Sequence, residues 1–205
     1  MELTAFKRYH QLLITASDDP KKMGFVCEKG DIIEFANRVR LVRSFRGLHL
    51  DGYKQDTVAG YDAFMLVFLT HSTLERYGEI IGIKTKDLRI FGPLLAPYQP
   101  EKVANDFVAS DKNKRLYEFL YDRVNPGLKT ELQMVYDRTS SNVACLSGAI
   151  RHIFAHGHLT AHANRIRPLK VNAECLKLSK FLVDFMDAEF TKIVDTYEKS
   201  SLLGG

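Results

Sequence analysis

From Leu178 to Tyr197 the apolar residues recur at intervals of three and four. Leu178, Phe181, Leu182, Phe185, Met186, Phe190, Ile193, Val194 and Tyr197 keep that spacing, while Lys180, Asp184, Asp187, Lys192 and Asp195 fall between them. In a helix of about 3.6 residues per turn this pattern gathers one apolar stripe and one polar face, and such a stripe is ordinarily buried against a core. It can also serve a partner. The same interval governs most of the chain, and the period-two alternation of half-buried strands is nearly absent. The fold class expected is therefore all-α. With 205 residues, 45% of them hydrophobic, the chain can bury a core without a covalent or metal staple.

Local signals divide the chain into helices. Leu3 to Ile14 reads as a short amphipathic helix ended by the turn-prone "SDDP". Asp31 is expected to cap a second helix through "IIEFANRVRLVRSF", closed by Gly47. A third helix, from about Asp56 to Ile81, has an apolar centre that implies burial on more than one side. Pro93, Pro97 and Pro100 forbid a continuous helix beyond it, so residues 83–108 are expected to form an extended connection or insertion. Helices resume from about Lys112 to Val124, stop at "NPG" and continue through "LKTELQMVYDR". Ser140 or Ser141 is expected to cap the next helix, Asn172 to Lys199 to form the last, and "SSLLGG" to be a frayed tail. The whole of 1–205 reads as one domain: an N-terminal helical extension over 1–52, a core bundle over 53–199, and the tail. No internal repeat or low-complexity stretch interrupts it.

Composition removes several classes of function. The longest apolar run, "AFMLVFL" from Ala63 to Leu69, is too short to span a bilayer, and "MELTAFKRYH" lacks the apolar stretch of a signal peptide. A cytoplasmic protein without a membrane partner is expected. Cys27, Cys145 and Cys175 are odd in number and lack CxxC spacing, so they read as reduced and structural. A formal charge of +4 and a pI near 8.9 permit binding to phosphates without demanding it. The positive charge clusters in two places, Arg38, Arg40, Arg43 and Arg46 in "NRVRLVRSFRG", and Arg165, Arg167 and Lys170. Each cluster reads either as a solvated face or as a nucleic-acid contact.

Residues 149–168, "AIRHIFAHGHLTAHANRIRP", hold four of the seven histidines and three arginines. On a helix starting at Asn142, Val143, Leu146, Ile150, Ile153 and Phe154 form the buried stripe. Arg151, His152 and His156 then project away from it, Arg151 and His156 roughly 140° apart with His152 between. Gly157 is expected to end the helix, placing His156 in its last turn. Three readings follow. A neutral imidazole beside a guanidinium combines an acid/base group with an anion clamp, which suits phosphodiester chemistry. The same residues on an amphipathic helix can simply be a solvated face. The third reading is a metal site at the i, i+4 pair His152 and His156, but no Glu or Asp lies among the histidines, no HExxH pattern occurs, and Arg151 and Arg165 would repel a divalent cation.

The segment "IRHIFAHG" resembles the signature of the HEPN superfamily (higher eukaryotes and prokaryotes nucleotide-binding), in which an arginine, a polar residue, a few variable positions and a histidine follow one another. Arg151, His152 and His156 match it with R-x4-H spacing, and Gly157 follows the histidine. The helix order is similar too, over roughly Tyr53 to Lys199. The resemblance implies an HEPN-like helical bundle and a homodimer in which two motifs meet to form a metal-independent, cofactor-free endoribonuclease acting on RNA. A role as a toxin or phage-defence enzyme, with a possible antitoxin partner, belongs to the same expectation. Arg151 would stabilise the phosphoryl charge, His156 would do acid/base work and His152 would support it, with His158, Arg165 and Arg167 binding substrate. One toxin subgroup carries a tyrosine two residues after the histidine. Here that position is His158, so modification at that tyrosine is not implied. A second expectation, from a different class, is a non-catalytic HEPN-like dimer that binds RNA or a nucleotide or acts as a docking module. A third is an assembly subunit whose polar face has no ligand.

Overall fold

In the computed structural model, which describes residues 2–83 and 87–203, the described residues form helices joined by turns, with no strand. The α-helices are α1 (Phe6–Thr15), α2 (Lys29–Ser44), α3 (Gln55–Ile80), α4 (Phe91–Leu95), α5 (Glu101–Ser110), α6 (Arg115–Tyr121), α7 (Pro126–Tyr136), α8 (Val143–Ala155) and α9 (Pro168–Leu203). The all-α class follows directly. Short 3-10 turns at Pro20–Met23, Leu88–Ile90, Ala96–Tyr98 and Ala163–Arg165 complete the order.

Two compact units share the chain, the first made of residues 1–44, 72–86 and 183–205, the second of 45–71 and 87–182. In the first, α1 and α2 share a core with the end of α3 and the later part of α9. The Phe190 ring lies 5.7 Å from Tyr9, 5.4 Å from Phe25 and 6.0 Å from Phe35, and Tyr77 packs between Phe35 and Phe185. Helix α1 begins at Phe6 rather than Leu3, and ahead of it the Thr4 N–H donates to Asp187 Oδ1 at 2.8 Å. Asp187 also accepts from the Thr4 hydroxyl at 2.8 Å and pairs with Arg43 at 2.7 Å. It is 7% exposed, although the sequence pattern puts it on the solvated side of α9. Its three donors offset the desolvation of its charge.

Asp31 stands in the first turn of α2, where its Oδ2 accepts the Glu28 N–H at 2.9 Å, so the helix starts before it and is not capped by it in the expected way. Gly47, at φ +106°, follows the end of α2 by three residues and serves the next turn instead. A side chain there would meet the Asp62 carboxylate, which accepts the Leu48 N–H at 2.5 Å.

The second unit is built around α8, which packs against α4, α6, α7 and the 3-10 turn at Leu88–Ile90. Its residues from Val143 to Ile150 are all buried. The expected single stripe is thus a fully enclosed cylinder, made possible by the small residues Ala144, Cys145, Ser147, Gly148 and Ala149. Neither Ser140 nor Ser141 caps α8. Asn142 holds the N-cap position without a side-chain cap and donates through Nδ2 to the Leu88 carbonyl at 2.9 Å.

The proline-rich stretch corrects the expectation of an extended connection, since its described residues are largely helical. Pro97 sits in the first turn of a 3-10 helix, and Pro100 occupies the N-cap of α5, where the missing N–H costs nothing. Residues 84–86 of the expected insertion lie outside the described residues. Helix α6 is shorter than expected because the Asp111 carboxylate accepts the Leu116 and Tyr117 N–H groups, at 3.2 and 2.9 Å, and so defines its start. The expected tail is helical through Leu203, and α9 starts at Pro168, four residues ahead of Asn172.

Candidate functional site

The histidine-rich end of α8 is shaped by a C-terminal glycine cap. His156 is the C-cap and Gly157 adopts φ +73°, while the Gly157 N–H bonds the Phe154 carbonyl at 2.9 Å and the His158 N–H bonds the Ile153 carbonyl at 3.1 Å. That pairing is the Schellman arrangement, which glycine allows because it has no Cβ to resist the left-handed backbone. His156 and His158 are consequently exposed, while Leu159 tucks back to 2% exposure.

His152 and His156 lie side by side, with ring centroids 4.6 Å apart and planes at 69°. His152 is half-buried. Burial lowers its pKa below the ordinary imidazole range, and the neighbouring His156 and Arg151 push in the same direction. Both effects disfavour a second positive charge, so the His152 ring is neutral at neutral pH.

Arg151 departs from the expected outward position. It is half-buried, and its charge acts on an imidazole the sequence did not single out, that of His71 on α3. Burial first, then Arg151, pushes the His71 pKa down to about 3. His71 is 2% exposed, and its Nδ1 lies 2.8 Å from Ser147 Oγ, which also donates to the Ala144 carbonyl at 2.9 Å. A Cβ on Gly148 would come within 3.2 Å of the His71 ring and would collide with the Leu88 side chain, so glycine permits this close approach of α8. The sequence signal was the small-residue run "ACLSGA" opposite a polar histidine in an apolar helix.

Beyond Gly157 the loop to α9 is fastened to α3 and α6. His162 Nε2 lies 3.0 Å from the Thr57 hydroxyl, and Gly60 faces Ala161 so closely that a Cβ would stand 2.8 Å from its methyl and 3.0 Å from its Cα. Asn164 Nδ2 donates to the Arg115 carbonyl at 2.8 Å, and Arg115 Nη1 returns a bond to the Arg165 carbonyl at 2.9 Å. Arg165 and Arg167 are exposed and face a cleft of about 350 Å³ together with Lys170, Lys112 and Arg115. Lys112 and Arg115 are distant in sequence and only the fold adds them.

The arginines of α2 have other engagements. Arg38 pairs with Glu34 at 2.7 Å and donates to the Ser72 carbonyl at 3.2 Å, and Arg43 is paired with Asp187. This cluster is therefore not simply a free basic face. Burial pushes the Cys27 thiol up to about 11 and raises the buried Cys145 and Cys175 further. Among the described residues no group of three or more His, Cys, Asp or Glu side chains is placed to hold a metal ion, and no helix is long and apolar enough to cross a membrane.

Comparison with models of protein families, with curated proteins and with solved structures finds no match to this chain.

Proposed function

We propose that the chain is an HEPN-type, metal-independent endoribonuclease working as a homodimer. The observation that carries this reading is the pair of touching imidazoles, His152 and His156, at the exposed end of α8 next to Arg151. His156 takes the proton of a ribose 2′-hydroxyl, whose oxygen attacks the adjacent phosphorus. The P–O5′ bond breaks, and the leaving oxygen receives a proton from a second imidazole, leaving a 2′,3′-cyclic phosphate and a 5′-hydroxyl. Arg151 stabilises charge on the phosphoryl oxygens, and neutral His152 orients His156. Two copies would supply two such sets to one cleft, as the resemblance implies. A toxin or phage-defence role, with an antitoxin partner, belongs to the same reading.

The test is incubation of the purified protein with mixed RNA in EDTA, beside Arg151→Ala and His156→Ala. Loss of an acid/base group of this kind slows cleavage by about 10²-fold or more. Equal cleavage by all three proteins would overturn the proposal. The half-burial of Arg151 favours one rival, a non-catalytic dimer that binds RNA or a nucleotide or acts as a docking module. A salt-sensitive RNA shift without any shortening of the RNA would select that rival.

A further inference from the structure

A cleft lies between the start of α6 and the start of α9. Lys112, Arg115, Arg165, Arg167 and Lys170 line it, and none of the five is in an ion pair among the described residues. Its two carboxylates do not cancel them. Asp111 is consumed by the Leu116 and Tyr117 N–H groups and by the Tyr136 hydroxyl at 3.0 Å. Glu174 gives Oε1 to Lys177 at 3.1 Å, while its Oε2 is buried without a hydrogen-bond partner. Between rim and carboxylate the edges of the nearly buried Phe107, Leu116, Ile166 and Val171 reach the lining.

An unpaired cationic rim calls for an anion, and the apolar edges behind it for a flat hydrophobic group. We infer that this cleft seats one nucleotide of a single-stranded RNA, its phosphate on the arginine and lysine rim and its base against the apolar edges behind it. The volume of about 350 Å³ suits one such unit and lies within the range of small-ligand sites, about 300–1,000 Å³. The reciprocal Arg115–Asn164–Arg165 bonds fix the Arg115 guanidinium and the backbone at Asn164 and Arg165 before the ligand arrives, which lowers the ordering cost of binding. Lys112, Arg167 and Lys170 are positioning residues, remote from the His156 chemistry in role. The inference rests on the RNA reading above, but not on cleavage.

The experiment measures binding of a labelled short single-stranded RNA in EDTA to the His156→Ala chain as salt is raised, so that cleavage cannot intrude. Each phosphate that is no longer neutralised reduces the slope of log K against log salt by about 0.7. Lys112→Gln/Arg167→Gln/Lys170→Gln, which strips the rim from the one seated phosphate, is expected to weaken binding and to flatten that slope by about 0.7. Lys7→Gln/Lys22→Gln/Lys199→Gln, an equal charge change at exposed sites elsewhere, should leave it nearly unchanged. Equal flattening by both triple substitutions, or no RNA binding at low salt, would overturn the inference. Nucleoside 5′-monophosphates should displace the RNA at lower concentration than inorganic phosphate does. Parity between them would mean a bare anion site, and tighter binding of the mononucleotide than of the strand would make the free nucleotide the ligand, each against the inference. RNA bound as expected but never shortened by the unsubstituted chain would retain this site and remove the nuclease proposal.

Discussion

At the scale of single residues, two positions turn physical constraint into measurable effects. The first is Gly60, where a Cβ would stand 3.0 Å from the Ala161 Cα, a backbone atom that cannot swing aside. Overpacking of this kind costs about 1–3 kcal/mol. Alanine's helix-forming advantage over glycine, about 1 kcal/mol, offsets only part of it. Gly60→Ala should therefore lower the melting temperature and, by displacing Ala161, disturb the loop that carries His158 and Arg165. An unchanged melting curve would show that the loop yields freely. The second is His71. Because folding holds it neutral, with a pKa of about 3, its stabilising contribution is complete above about pH 6.5, the unfolded imidazole's value, and is lost as the pH falls toward 3. The unfolded chain binds one more proton in that window, which gives a slope of about 1.4 kcal/mol per pH unit. His71→Leu leaves Ser147 its bond to the Ala144 carbonyl and should flatten the acid side of a urea-midpoint profile by one proton. Identical acid slopes in the two proteins would contradict the buried, neutral assignment.

At the scale of elements, ion pairs tie helices within the first unit. Asp187 on α9 joins the chain before α1 to Arg43 of α2, and Arg76 near the end of α3 reaches Asp31 and Glu34 of α2 at 2.7 and 2.5 Å. Removing one partner of the poorly exposed Asp187–Arg43 pair costs about 3–5 kcal/mol, because the remaining charge loses its compensation. Asp187→Ala is expected near the lower end, and Asp187→Asn to lose less, since its amide oxygen still accepts one of the Thr4 donors. Urea unfolding checks both, and equal losses would mean that charge rather than hydrogen bonding dominates. The expectation that Asp187 faces solvent shows why periodicity is a one-way guide: a polar residue on the polar side of a stripe stays there only if nothing across from it supplies a counter-charge. The enclosure of α8 is the complementary case, where an apolar stripe read from large residues underestimates a helix whose small residues admit neighbours on every side.

At the scale of the whole molecule, the proposed nuclease requires a second copy to complete the cleft. Sedimentation velocity at micromolar protein should give a dimer. A monomer across that range, combined with undiminished RNA cleavage, would show that one set of Arg151, His152 and His156 suffices. The dimer should also resist moderate salt better than RNA binding does, since RNA affinity falls with every counterion released.

Local spacing alone determined that this chain is helical, that its last long helix buries the Leu178 to Val194 stripe, and that Gly157 ends α8 with His156 in its final turn. Those properties depend on residues within a few positions of one another, and neighbouring positions suffice to express them. Tertiary structure decided that Arg151 is half-buried near His71, that Asp187 is enclosed, that Pro97 and Pro100 stand at helix starts, and that Arg165, Arg167 and Lys170 share a cleft with Lys112 and Arg115. In each case the deciding partner lies far along the chain or on another element. Burial, counter-charge and shared cavities arise only when distant segments meet.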